Sequence, residues 1–493
     1  MNRNLIFYIL TVVIFGSLVW FVLDQGTKLE NEQNALTAVG ESREEAGAVD
    51  RQFDATAQEG VLIVFFRNLS QNTAQPLSRL LLQIAVIVVF SRLLAFLVAK
   101  IGQPLVIGEI IAGILLGPSV LGHFWPGISS FLFQPDSLPN LQFLSQLGLI
   151  LFMFIIGLEL DIHLLKHKAH TAVVVSHASI IFPFFLGVSL AYYLFGTLAP
   201  PHTSFLAFGL FMGIAMSITA FPVLARIIQE RGLTQSPLGA LALTCAAADD
   251  VTAWCILAAV IAIVKAGTVT NALFTVLLSL VYVFAMLAVV RPLLQRLAAR
   301  SATAENLNPA FIVIAFAMLF LSALATEVIG IHALFGAFLA GVVIPAQAGF
   351  RKMLADKIEA VSLVILLPLF FAFTGLKTQI GLLNNISAWL ICGLIILVAI
   401  AGKVGGSVAA AKFTGQSWAD SLAIGALMNT RGLIELIVLN IGYDLGVLSP
   451  TVFTMMVLMA LVTTFMTSPA LSAIQHFQWK RELMGATPVP ERL

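Results

Sequence analysis

Residues 245–254 read Cys245-Ala246-Ala247-Ala248-Asp249-Asp250-Val251-Thr252-Ala253-Trp254, two adjacent carboxylates in the middle of an apolar run that extends from about residue 236 to 265. The rest of the chain decides what that pair means. Of its 493 residues, 59% are hydrophobic and 10% are charged. An ordinary soluble domain carries about 25% charged residues, so a chain this poor in charge cannot cover a water-soluble fold. The polytopic membrane class follows. A charge at the centre of a membrane helix costs about 2.5–3.5 kcal/mol on the insertion scale, and adjacent aspartates add mutual repulsion. Packing gives no reason to retain them, so Asp249 and Asp250 are the candidate ion-binding and proton-carrying groups.

Working outward, runs long enough to cross a bilayer occur near 5–23, 77–99, 102–121, 141–158, 171–195, 203–229, 236–265, 272–298, 308–327, 330–347, 358–376, 387–412, 416–446 and 447–475. They predict about 14 membrane helices at the usual length of roughly 20 residues. The runs are apolar on all sides and lack the alternation of a membrane barrel. Lys100, Lys166, Lys168, Arg226, Arg231, Arg291, Arg296, Arg351, Lys352, Lys357 and Lys412 fall on alternate connections, whereas the others carry only a few cations such as Lys265 and Lys377. The basic side is therefore expected to be cytoplasmic, with both termini on it. Residues 1–23 fit a retained helix better than a signal peptide, because the apolar stretch is long and no small-residue cleavage site follows directly. Residues 24–76 form an acidic extracytoplasmic segment, 77–475 the transmembrane domain, and 476–493 a short cytoplasmic tail too short for a nucleotide-binding module. Cys245, Cys255 and Cys392 are scattered in apolar runs and make no disulfide framework or metal site. No basic tail suggests a nucleic-acid partner.

Spans two to seven and nine to fourteen form two sets joined by a single helix, which inverts the second set relative to the first. Transporters built this way bind substrate where interrupted helices of the two halves meet. The interruptions here are Ser217-Ile218-Thr219-Ala220-Phe221-Pro222 and Asn429-Thr430-Arg431-Gly432. Proline removes a helical hydrogen bond and glycine weakens helix propensity. Such breaks survive at membrane depth only where protein or water satisfies the freed backbone groups. Thr219, Ser217 and freed carbonyls offer the oxygen ligands that a hard cation takes, with Asn429 at the second break.

Three further residues carry charge away from water. Lys403 lies in Ile400-Ala401-Gly402-Lys403-Val404-Gly405-Gly406, where small neighbours permit close helix approach, although snorkelling would also account for it. Arg431 can pair with Glu435 one turn along, as a structural bridge or beside a cavity. Glu109 follows Gln103-Pro104 and reads as a second carboxylate on a cation path or as an interfacial anchor. Arg92 and His332 read as an end-of-helix cation and a packed histidine. A buried carboxyl group is discouraged from ionising by desolvation and encouraged by a nearby cation, a combination that suits exchange of a proton for a metal cation.

At these positions the chain resembles the monovalent cation:proton antiporter-2 family, including the plant cation/proton exchangers and their bacterial relatives. The resemblance covers about residues 77–475. It rests on Gln103 to Gly122, Ser217 to Arg226, Ala246 to Trp254, Ile331 to Gly341 and Leu427 to Asn440. It implies an all-α, roughly 13-helix inverted-repeat fold with two crossed broken helices, to which the first helix is an addition, and a homodimer in the bacterial inner membrane. By the family pattern Asp250 is the ion- and proton-carrying aspartate. Asp249 stands where electrogenic members carry aspartate, Lys403 is its partner, and Thr219 is the polar residue at the first crossing. Arg431 departs from the lysine usual in the plant proteins, and arginine does not readily release a proton.

The expectation is therefore a secondary active antiporter, not an enzyme, exchanging Na⁺ or K⁺ for H⁺ by alternating access. It needs no cofactor or nucleotide. Exchange would be electrogenic if Lys403 releases a proton when the cation binds; the alternatives are electroneutral K⁺/H⁺ exchange and a cation channel. An intramembrane aspartyl protease is disfavoured, because neighbouring residues on a helix point about 100° apart and cannot share one proton across a short gap.

Overall fold

The computed structural model describes residues 10, 13–24, 26, 72, 75–159, 169–233, 236–266, 269–301, 309–345 and 350–485. These residues are helical or in short connections, and no strand occurs among them. In chain order the main helices begin with α1 (Val13–Asp24), α2 (Pro76–Lys100), α3 (Leu105–Leu116), α4 (Leu138–Glu159) and α5 (Ala169–Leu198). Next come α6 (Phe205–Ser217), α7 (Phe221–Glu230), α8 (Pro237–Ala266) and α9 (Val269–Ala285), which runs on through a π turn into Arg291–Ser301. The remainder are α10 (Pro309–Ile329), α11 (Ala333–Val343), α12 (Phe350–Val361), α13 (Leu367–Lys377), α14 (Ile386–Phe413), α15 (Trp418–Met428), α16 (Leu433–Asp444) and α17 (Pro450–Gly485).

Ten helices among the described residues are long and apolar enough to cross a membrane, and four more apolar helices are shorter. The expected spans 203–229 and 416–446 are each two half-helices separated by a non-helical stretch. The expected span 330–347 is the 11-residue α11, about 16 Å long at 1.5 Å per residue and too short to cross alone. Most of the expected acidic segment 24–76 lies outside the described residues. The last helix runs on to Gly485 into the expected tail, and 486–493 lie outside the description.

The helices sort into two packed groups. In one, α5 packs on α6, α8 and α14, while α15, α16 and α17 close around α14 and α6. In the other, α2, α3, α4, α10, α11, α12 and α13 pack mainly among themselves. The linking α9 touches α8 of the first group and α10 of the second. The first group is the core bundle, since both broken helices belong to it. The added helix α1 rides on this bundle: the Phe15 ring packs tilted on Phe182 and edge-to-face on Phe185 of α5, with ring centroids 4.5 and 5.3 Å apart.

Close packing in the core depends on missing side chains. At Gly402 and Gly406 of α14, a Cβ would come within 2.8 Å of the Pro183 Cα and of the Ala178 carbonyl of α5. Only glycine lets α14 lie this close, as the small residues around Lys403 predict. That approach brings the Lys403 ammonium onto α5.

Candidate functional site at the helix crossing

The first broken helix stops because Ile218 and Ala220 take extended conformations, and α7 restarts with Pro222 in its first turn, where a missing N–H costs nothing. The second stops at Asn429, and Gly432 precedes α16. The two breaks are joined directly: the Ala220 N–H donates to the Thr430 carbonyl at 3.0 Å. A Cβ on Gly432 would approach Val223 Cγ2 of α7 to 2.9 Å, so the crossing is tight on both sides.

A helix end leaves its last carbonyls without helical partners and carries partial negative charge. At the end of α6 three successive carbonyls meet cations. Arg431 donates from Nη1 to Ala215 (3.0 Å) and from Nη2 to Met216 (2.7 Å), and Lys403 Nζ donates to Ser217. Both side chains are fully buried. Arg431 also stands 3.3 Å from Glu435 Oε1. The structural bridge expected of Arg431 is thus present, together with a larger task, the capping of α6.

Lys403 carries the second half of the arrangement. Besides Ser217, its ammonium donates to the Ser179 carbonyl (3.0 Å) and to Asp249 Oδ2 (2.9 Å), so each of its three protons has an acceptor. Asp249 in turn accepts from the Ser176 hydroxyl (2.7 Å), the Ser179 hydroxyl (2.9 and 2.8 Å to its two oxygens) and the Thr219 hydroxyl (2.6 Å). The Asp249–Lys403 pair has no solvent exposure and is fully hydrogen-bonded, the condition under which a buried ion pair is tolerated. Snorkelling of Lys403 is ruled out by this geometry.

Asp250 contrasts with its neighbour. Its carboxylate meets the backbone N–H of Phe221 at the start of α7 and leaves Oδ1 buried without a hydrogen-bond partner. The positive end of a half-helix favours an anion there. A buried oxygen left unpaired costs about 1–3 kcal/mol, which calls for an explanation. Asn429 Oδ1 at the second break is likewise buried and unpartnered.

The structure brings Asp249, Asp250, Thr219, Lys403, Arg431, Asn429 and Glu435 to one crossing. Two candidates take other places. The Ser217 hydroxyl donates back to the Gly213 carbonyl at 2.7 Å, so only its backbone oxygen serves the site; a serine at a helix end satisfies itself this way. Glu109 is buried on α3 and lines a cavity of about 440 Å³ with Arg92, Glu159, Glu359 and Val223, away from the crossing itself. Val223 is two residues beyond Phe221, so this cavity reaches α7 in its first turn. His332 caps α11 rather than facing the crossing. Ser176 and Ser179 were not legible: serines within apolar helices commonly bond their own backbone, and only the fold turns these two onto a carboxylate.

Residues 85–474 match the profile of the sodium/hydrogen exchanger family, transmembrane. The chain belongs to this family. It is 44% identical to the Na(+)/H(+) antiporter NhaS4 of Synechocystis over 79% of its own length and 95% of that relative. It is 42% identical to cation/H(+) antiporter 17 of Arabidopsis thaliana, over 80% of the chain and 48% of the relative. It is 34% identical to K(+)/H(+) antiporter 1 of Saccharomyces cerevisiae, over 81% and 46%. The chain thus spans about half the length of these plant and yeast relatives. Among solved structures, the sodium proton antiporter MjNhaP1 of Methanocaldococcus jannaschii superposes with a TM-score of 0.60 at 16% identity, over 83% of this chain and all of that one. The exchanger fold is shared although little sequence is. The protein is a multi-pass membrane exchanger, not an enzyme, and the antiporter resemblance read from the motifs holds.

Proposed function

We propose that the exchanger carries a monovalent cation, Na⁺ or K⁺, in exchange for H⁺, and that Asp250 is the group for which the two compete. The observation that carries this reading is the contrast between the saturated Asp249 and the unpaired Asp250 oxygen beside it. Charge balance supports it. With Asp249, Asp250 and Glu435 ionised against Lys403 and Arg431, the crossing holds one uncompensated negative charge in a buried setting. One monovalent cation or one proton neutralises it. A hard cation at Asp250 would take that carboxylate as its oxygen donor, with the unpartnered Asn429 amide oxygen at the same crossing as a second candidate.

In the cycle, binding of the cation draws Asp249 away from Lys403, and Lys403 then releases its proton, making exchange electrogenic. If Lys403 keeps its proton, exchange at Asp250 alone is electroneutral. The 440 Å³ cavity opens toward the face where Arg351 reaches the Leu158 carbonyl and Arg231 the Ser468 carbonyl. That basic face is cytoplasmic by the positive-inside rule, in a bacterial inner membrane, and this conformation is then inward-facing. Alternating access follows from movement of the core bundle against the other helices. The apolar, outward-facing α9 suits packing against a second copy in a homodimer. The seat of α1 on α5 supports a retained first helix rather than a cleaved leader.

The test is reconstitution in proteoliposomes holding a pH-sensitive dye, with Na⁺ or K⁺ added across a preset pH gradient. Asp250→Asn keeps the size and removes the titratable charge. Collapse of the gradient by wild type and not by the variant supports the reading, and the responding ion names the substrate. Equal behaviour of the two refutes Asp250 as carrier.

A further inference from the structure

The face opposite the cavity is shut by a small set of contacts that tie α16 of the core to α13 and α4 of the other group. Asp444, the last residue of α16, accepts from Lys377 Nζ of α13 at 2.6 Å and from Gln142 Nε2 of α4 at 2.9 Å. One turn earlier, Asn440 Nδ2 donates to Thr374 Oγ1 at 2.8 Å. Lys377 is held further by the rings of Phe373 and Tyr443, 4.8 and 5.1 Å from its ammonium. Between these groups remains a space of about 30 Å³, room for about one water.

Several features separate this set from an ordinary surface bridge. A carboxylate at the C-terminal end of a helix is disfavoured by the helix dipole, so α16 alone gives Asp444 no stabilisation; its partners come from across the boundary between the helix groups. Both carboxylate oxygens are engaged, one by a charged donor, and such bonds are short and strong. The Lys377 side chain is 13% exposed, so water screens the pair only in part. A second ion pair among the described residues crosses the same boundary on this face, Lys265 with Glu327; it is longer at 3.4 Å and more exposed. Asp444 lies on the half-helix that begins beside the crossing, so any motion that opens a path along α16 must break both of its bonds.

We propose that Lys377 and Gln142, by holding Asp444, form the latch that closes the route to the crossing from the face opposite the cavity, and that release of Asp444 is the step that exposes the site there. This rests on the alternating-access reading above. The latch sets the balance between the two orientations and touches no transported ion, so Lys377, Gln142 and Asp444 are positioning residues. Weakening it shifts population toward the open orientation by the interaction lost.

The reporter is Ser145→Cys, on α4 beside the small space, in a chain whose three native cysteines are replaced by alanine. Its labelling by a membrane-impermeant maleimide is followed in right-side-out vesicles. Labelling is expected to be slow in this parent and about tenfold faster in Asp444→Asn and in Lys377→Gln, a factor equal to roughly 1.4 kcal/mol. The swapped pair Lys377→Asp with Asp444→Lys is expected to return it toward the parent rate, which a merely loosened helix would not do. Should the charge variants fail to accumulate in the membrane, Gln142→Leu decides, because it keeps both charges and removes one bond; labelling a few-fold faster is expected. Unchanged labelling in these variants, or no recovery in the swapped pair, overturns the latch. Cation-driven proton movement is measured on the same preparations. If the parent shows none, the exchange reading fails independently of the labelling outcome.

Discussion

Replacing Lys403 by methionine keeps the length of the side chain and removes its charge from the centre of the core. Asp249 would retain the hydroxyls of Ser176, Ser179 and Thr219 but lose its counter-ion, and the carbonyls of Ser179 and Ser217 would lose their donor. Removing one partner of a buried pair costs about 3–5 kcal/mol, because a charge is left uncompensated, whereas removing both can be nearly neutral. At roughly 2 °C per kcal/mol for a large domain, the apparent melting temperature should fall by about 6–10 °C. The double variant Asp249→Asn with Lys403→Met should recover a good part of this. It should remain about 2 kcal/mol below wild type, because two carbonyls are left without their donor at about 1 kcal/mol each. Thermal unfolding in detergent, followed by intrinsic fluorescence, gives all three values. Two results refute the reasoning: a Lys403→Met protein that melts with wild type, and a double variant no more stable than the single. Either would mean that the ion pair does not hold the crossing together.

Three other outcomes are expected. Asp250→Asn should abolish cation-dependent proton movement in the dye assay while shifting the melting temperature little, because Oδ1 of Asp250 makes no hydrogen bond to lose; a large loss of stability would assign Asp250 a structural role. Arg431→Lys should destabilise by about 1–3 kcal/mol and slow exchange, since one ammonium cannot reproduce the planar fork that caps Ala215 and Met216; a silent substitution would show that the cap on α6 is dispensable. Gly406→Val would place a Cβ within 2.8 Å of the Ala178 carbonyl, pushing α14 from α5 and Lys403 from Asp249, at about 1–3 kcal/mol with loss of exchange. Thermal unfolding and the proteoliposome assay together check it, and normal exchange would refute the proposed dependence of the ion pair on helix approach.

Much of this was legible in the linear chain because the bilayer is a harsh solvent. It forces spans to be long and apolar, so helices declare themselves by length, and it makes every mid-span charge and break costly, so Asp249, Asp250, Lys403, Arg431 and the two interruptions stand out before any fold is known. Adjacent aspartates on a helix must point apart, but nothing in the linear chain says which of the two finds partners. Asp249 is the saturated member because glycines at 402 and 406 let α14 approach α5, bringing Lys403, Ser176 and Ser179 onto one carboxylate from two distant segments. The capping of α6 by Arg431 and the closure of the opposite face by Asp444 are of the same kind. Each joins residues more than 60 positions apart, and no local pattern records such a pairing. Solvent cost acts on each residue where it stands in the chain, whereas hydrogen-bond partners are chosen only when helices meet.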